Sequence, residues 1–456
     1  MRKMPLAIWA LVIAAFAMGA DEFVVAGVVE EIADALDVSI GAVGLFESAY
    51  AIGVAIGAPL FTAIGSKASR RFMLLSSAGI FLAGNAISLF GPTYGWIMTG
   101  RIVAALAHGA FFGIAAVFAA ELVAAKMKGR AIATVFAGST AATILGAPIG
   151  AAVGKALGWR ATFGTLVIFG AVALLGLLLL IPRGLGRERA RQISTDQDHT
   201  SAHVHDTAQA PDHGASHVST DHPHPADDGA ELDAHARMHM GAGGTAPLKA
   251  QLSALRRPAV LIGLLTTLLG YGGVFTSYVY LAPQLTQATG VAGEWVTPLF
   301  LLFGVGLFIG NQLGGKLADR NLPMALAGSV GALAVVLFAM TLLIQHPVTA
   351  VIGIVAYGIA AFSVVAPLQL RVMQKAGDAP DIASAANISA FTLGSALGIW
   401  LGGAAIDGGL GVTSVNWVGG IIAGTGFALA LASIWMDKVI APQPVEERPV
   451  QLTHHH

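Results

Sequence analysis

Apolar residues do not alternate along this chain; they come in runs of about 20, separated by short polar stretches. A run of that length, wound as an α-helix rising ~1.5 Å per residue, crosses roughly 30 Å of hydrocarbon. The pattern predicts twelve such helices, over residues 5–29, 42–64, 72–91, 95–122, 131–154, 160–182, 258–282, 295–317, 323–343, 348–373, 383–405 and 414–436. One long polar interval divides them into two groups of six. The expected fold class is therefore all-α and integral to a membrane. A six-helix bundle is expected in 1–182, a polar linker in 183–257, a second bundle in 258–440 and a tail in 441–456. The first run carries no small-residue cleavage signature, so it is expected to be retained as a helix and not removed as a signal peptide. His454, His455 and His456 have the look of a purification-tag stub.

Composition supports the membrane reading. Charged residues make up 11% of the chain, against about 25% in an ordinary soluble domain, and the mean hydropathy is +0.73. A formal net charge of −1 argues against a nucleic-acid binder relying on bulk positive charge. With no cysteine, disulfides, thiolate metal sites and Cys nucleophiles are excluded. The basic residues set the expected orientation. With the N-terminus inside, Lys67, Arg70, Arg71, Lys126, Lys128, Arg130, Lys316, Arg320, Arg371, Lys375 and Lys438 fall on the cytoplasmic side. Lys155 and Arg160 fall outside, with the acids Glu30, Glu31, Asp34, Asp37 and Glu294. Both termini are thus expected in the cytoplasm.

The two groups look like copies of one another. Gly53 and Gly57 in the second helix answer to Gly306, Gly310 and Gly314 in the eighth. Gly146, Gly150 and Gly154 in the fifth answer to Gly394, Gly398 and Gly402 in the eleventh. Small residues at every fourth position form a stripe along which two helix backbones can approach closely. One such stripe is generic packing; two recurring at nearly the same offset indicate a parallel repeat about an axis along the membrane normal.

After the eighth helix stands GKLADR, Gly315 to Arg320, and at the matching place after the second stands TAIGSKASRR, Thr62 to Arg71. Together they resemble the Gly-x-x-x-Asp-Arg turn of the major facilitator superfamily. The second copy keeps Gly315, Asp319 and Arg320; the first has Thr62 and Ser66 in place of the glycine and aspartate but retains Arg70 and Arg71. On that resemblance, the inner gate leans on the second copy. GRIVAALAHGAFFG, Gly100 to Gly113, resembles the fourth-helix motif of drug:proton antiporters. GSTAATILGAPIG is similar to their fifth-helix motif, with Gly146, Pro148 and Gly150 kept and Ala147 inserted before the proline. VAPLQLRVMQ and FTLGSALGIWLGG are similar to the arabinose-efflux-permease-like branch, which includes chloramphenicol exporters. The resemblance spans all of the chain except the linker and tail.

Few ionisable residues fall inside the predicted helices: Asp21, Glu22, Glu47, Arg101 and His108. Each costs roughly 2.5–3.5 kcal/mol on insertion scales, so each needs a reason to be there. Helix directions place the three acids and Arg101 in one layer. Asp21 and Glu22 point about 100° apart, so they cannot do the same job: one is expected to face the central cavity and exchange a proton, the other to contact a neighbouring helix. The bland alternative is a structural ion pair with Arg101. The resemblance points to Glu22 as the usual acidic site, with Asp21 an addition. His108, two turns after Arg101, can relay a proton or can be a structural hydrogen-bonded residue. Glu121 is expected to pair with Lys126 or Arg130 at the inner interface, and Arg371 to be interfacial. In the second half, Tyr271, Phe275 and Tyr278 share one helix face, either as packing or as aromatic contacts to substrate. Asn311, Gln369 and Asn387 are weaker candidates for hydrogen bonds to it.

The linker holds nine histidines between His199 and His239 and few large apolar residues. It is expected to be disordered: a passive tether, or a loose divalent-metal binder through pairs such as His203/His205 and His222/His224. No nucleophile–base set and no phosphate-binding glycine loop points to an enzyme or an ATP-driven pump. The expectation is a monomeric, cofactor-free secondary transporter, exchanging a small organic compound for protons across the inner membrane. Its rivals are a proton-coupled importer of the same fold and a metal-handling protein using the histidines.

Overall fold

The computed structural model describes residues 4–65, 69–124, 127–181, 253, 255–377 and 379–440. The His-rich linker and the tail lie outside them. Among the described residues twelve helices are long and apolar enough to cross a membrane. In the first half these are α1 (Leu6–Val24, with a further turn to Gly27), α3 (Ile40–Gly65), α4 (Arg70–Phe90), α5 (Tyr94–Glu121), α6 (Lys128–Leu157) and α7 (Trp159–Leu180). A short amphipathic helix, α2 (Val29–Leu36), follows α1.

The second half holds α8 (Pro258–Tyr278), α9 (Val296–Arg320), α10 (Leu322–Leu343), the broken span α11 (Pro347–Ser363) with α12 (Val365–Ala376), α13 (Pro380–Ala405) and α14 (Ser414–Ile440). These bounds fall within a few residues of those expected, the break at Val364 excepted. Several helices begin where backbone chemistry favours it: the Ser69 hydroxyl accepts from the Phe72 N–H, the Asn321 side chain accepts from the Met324 N–H, and α8, α11 and α13 start on proline.

The glycine stripes explain which helices touch. A Cβ on Gly53 or Gly57 would collide with Ala105 or Leu106 of α5; one on Gly306, Gly310 or Gly314 would collide with the α11 backbone near Val355, Ile359 and Ser363. Likewise Gly146, Gly150 and Gly154 lie against Phe23, Val24 and Val28 in and just after α1, while Gly394, Gly398 and Gly402 lie against Leu268, Gly272 and Thr276 of α8. The same helix pairs therefore meet through the same devices in both halves. The halves themselves meet along α3 with α13 and along α6 with α9. Pro148 supplies no N–H, which frees the Ile144 carbonyl one turn earlier in α6; there Gly304 of α9 comes so close that a Cβ would sit 2.8 Å from that oxygen.

The two faces of the bundle differ. At the face bearing Ile40, the halves are joined by hydrogen bonds. Glu30 accepts from the Thr286 hydroxyl at 2.8 Å and from the Gln287 amide at 2.7 Å. Asp407 accepts from the Ser39 hydroxyl at 2.8 Å and the Gly41 N–H at 3.3 Å. The buried Tyr280 ring sits against Gly44 and Gly403. At the opposite face, bearing Arg70, the ion pairs among the described residues stay within a half: Arg70 with Glu121, and Arg371 and Lys375 with Asp437. Of the two partners expected for Glu121, Arg130 is not the one: Glu121 pairs with Arg70, and Lys126 lies outside the described residues. Arg371 is buried against protein, donating to Ser433 and paired with Asp437 at 2.6 Å. Asp319 and Arg320 are exposed, while Arg71 donates to the Leu178 carbonyl at 3.0 Å.

A buried charge cluster in the first half

Asp21 and Arg101 are completely buried and Glu47 nearly so. The α5 guanidinium forks: Nη1 pairs with the Asp21 carboxylate, and Nη2 donates to Glu47 Oε1 at 2.5 Å. Both nitrogens also donate to the Asp21 backbone carbonyl at 3.1 Å. Asn85 of α4 donates to the other Asp21 oxygen at 3.1 Å. Only arginine presents donors in a rigid fork able to hold two carboxylates at once. Tyr50 lies beneath, its ring centre 4.1 Å from the Arg101 carbon. Its hydroxyl is 2.8 Å from His108 Nδ1, so His108 is linked to the cluster through Tyr50. Neither Tyr50 nor Asn85 was singled out from the sequence; Asn85 carried a signal, an amide inside an otherwise apolar span.

Glu22 behaves differently. One residue on from Asp21, it is half-buried, and its carboxylate has no hydrogen bond or ion pair among the described residues. It is within electrostatic range of Tyr271 and Tyr278 on α8. The 100° step between neighbours puts Asp21 into the first half's interior and leaves Glu22 free.

Phe23, next along, reaches across to Phe275 and Tyr278, with ring centres 6.1 and 5.7 Å away. Tyr278 stacks on Phe303 at 5.1 Å, and Tyr271 meets Phe391 edge-on at 4.7 Å. The α8 stripe is thus the centre of an aromatic cluster shared by both halves. The amides are arranged otherwise than as three free donors. Asn387 donates to Gln369 at 2.7 Å and Gln369 to Ser384 at 2.7 Å, so those two are engaged with each other. Asn311 lines a crevice of ≈ 160 Å³ between α6, α9 and α11. Among the described residues no group of three or more His, Asp or Glu could hold a metal ion.

A model of the Major Facilitator Superfamily matches residues 11–398. The chain belongs to that superfamily. It is a multi-pass membrane transporter. The inner membrane transport protein YdhP of Escherichia coli strain K12 is 38% identical over 436 residues, covering 96% of this chain and 97% of that protein. A chloramphenicol resistance protein of Streptomyces lividans is 30% identical over 427 residues, 94% and 96% of the two chains. Among solved structures, a bacterial homologue of the lysosomal transporter Spinster, inward-facing and unoccupied, superposes with a TM-score of 0.67 at 15% identity over 97% of this chain and all of that one. The E. coli xylose transporter XylE, partially occluded and inward open, gives 0.62 at 15% identity over 96% and 98%.

Proposed function

We propose that this transporter exports a small organic compound in exchange for protons, with Glu22 as the group for which proton and cargo compete. The observation carrying this is the contrast between two adjacent acids. Arg101 is bonded to both Asp21 and Glu47 inside the first half, whereas Glu22 keeps a half-buried carboxylate with no hydrogen bond or ion pair among the described residues, within electrostatic range of the aromatic wall of α8. A carboxylate in apolar surroundings holds its proton until something better replaces it. Cargo seated against Tyr271, Phe275 and Tyr278 displaces that proton when the cavity faces one side, and the proton returns when it faces the other. Asp21, Glu47 and Arg101 hold α1, α3 and α5 in register, and Tyr50 and His108 give a hydroxyl–imidazole route away from the cluster.

The positive-inside pattern puts the Ile40 face outside, so the bonds of Glu30 and Asp407 close the outer gate. In the alternating cycle those bonds break and the Arg70 face closes. The chloramphenicol resistance protein among the relatives supports export and makes chloramphenicol-type amides the first cargo to try.

The test is proton release from purified protein in detergent on adding a panel of compounds and divalent metals. Release with an organic compound, lost in Glu22→Gln and unchanged when residues 195–243 are deleted, is the expected result. Release only with a metal, lost on that deletion, would move the function to the linker histidines.

A further inference from the structure

A second binding feature lies away from the charge cluster. On the flank of the first half, α1, α6 and α7 enclose an apolar groove of ≈ 710 Å³. Its walls are Trp9, Ile13 and Phe16 of α1, Ala137 and Ala141 of α6, and Phe169 of α7. Trp9, Ile13 and Ala137 are exposed, so the groove is open to the side on a surface that, in a multi-pass membrane protein, faces lipid. At one end stand Arg130 and Thr134. Arg130 opens the membrane-spanning part of α6, is exposed, and has no ion pair among the described residues, Glu121 being held by Arg70. The Thr134 hydroxyl is turned back onto the Arg130 carbonyl at 2.8 Å, so the cation is the polar feature of the groove mouth.

From this we infer that the groove binds one anionic phospholipid, its phosphate on Arg130 and one acyl chain along the apolar walls. Three features fit that occupant. From Arg130 to Ala141 the helix rises roughly 16 Å, about half of the ~30 Å hydrocarbon thickness and therefore one leaflet deep. An arginine fork suits phosphate oxygens, and it stands at the depth where a headgroup sits. Trp9, one turn inside the start of α1, brings an amphipathic ring of the kind enriched at that level. A bound chain would bridge α1, which carries Asp21 and Glu22, and α7 at the periphery.

The test follows thermal unfolding of delipidated full-length protein in detergent, titrated with phosphatidylglycerol, phosphatidylcholine or inorganic phosphate. Phosphatidylglycerol is expected to raise the midpoint saturably, with at least five-fold tighter apparent binding than phosphatidylcholine. Arg130→Gln should erase that preference, Ala137→Trp should abolish saturation by filling the groove beside an intact Arg130, and Lys316→Gln, another exposed cation, should leave it unchanged. Equal response to both lipids in the wild type, or a preference surviving Arg130→Gln, overturns the proposal. So does full competition by millimolar inorganic phosphate, which would make the site one for free anions.

Discussion

The two halves share their helix packing and differ in what they bury. Where the first half buries Arg101 on the backbone carbonyl of Asp21, the second has Tyr357 of α11 donating to the backbone carbonyl of Val274 in α8. At this corresponding position one half is charged and the other neutral; the second half's buried Arg371 lies apart from it, at the Arg70 face. The second half completes its polar core with a closed ring. Ser277 donates to Asn416 at 2.6 Å, Asn416 to Gln284 at 2.6 Å, and Gln284 back to Ser277 at 3.3 Å. All three are fully buried. A neutral ring satisfied within itself can pass through a transport cycle unchanged, whereas a charged cluster responds to any proton or cation that reaches it. The glycine stripes show why the halves were free to diverge. They govern how closely backbones approach, and they are indifferent to which polar group sits between the helices.

Replacing the two corresponding donors tests that difference most severely. Arg101→Leu strands two carboxylates in the interior and is expected to cost about 3–5 kcal/mol, enough to prevent recovery of folded protein. Tyr357→Phe removes one neutral hydrogen bond and should cost about 1 kcal/mol. Thermal unfolding in detergent reads both; equal losses would mean the charged cluster is ordinary packing. Arg101→Lys keeps the charge but loses the fork, so folding should survive while proton release falls at least ten-fold.

Next in size are the stripes themselves. Gly150→Val and Gly398→Val push side chains into the α1 and α8 backbones respectively, and each should cost about 1–3 kcal/mol or more. The comparison sharpens if the two agree to within about 1 kcal/mol, and breaks if only one half is sensitive.

The smallest effect on stability, and the largest on conformation, is expected at the Ile40 face. Asp407→Asn weakens the hold on Ser39 and Gly41, by less than about 1 kcal/mol for bonds this exposed. That still shifts the balance of open and closed forms several-fold. With no native cysteine, spin labels at Thr93→Cys and Gln345→Cys can report the separation of the halves there. An unchanged distance distribution would remove Asp407 from the gate.

Much of this was legible in the chain, and the reason is the solvent. A bilayer requires every span to be long, apolar and self-bonded, so the twelve helices and their approximate ends follow from hydropathy alone. The repeated glycines gave away which helix faces are close-packed, and the cost of burying charge drew attention to Asp21, Glu22, Glu47 and Arg101 before any contact was known. The sequence could not say which acid the arginine holds, because adjacent residues differ only by a rotation whose origin is set by neighbouring helices. It could not reveal the Tyr50 platform, the Ser277–Asn416–Gln284 ring or the carboxylate bonds that close the Ile40 face. Apart from Gln284 and Ser277, seven positions apart, those partners lie 51 to 368 positions apart along the chain, and an ordinary tyrosine, serine or asparagine acquires a role only when another helix is brought against it. By itself, the sequence determined what must cross the membrane and which charges needed a reason to be there. Tertiary packing alone decided that Asp21 is enclosed with Arg101 and Glu22 is left free, because pairing between helices depends on their relative rotation.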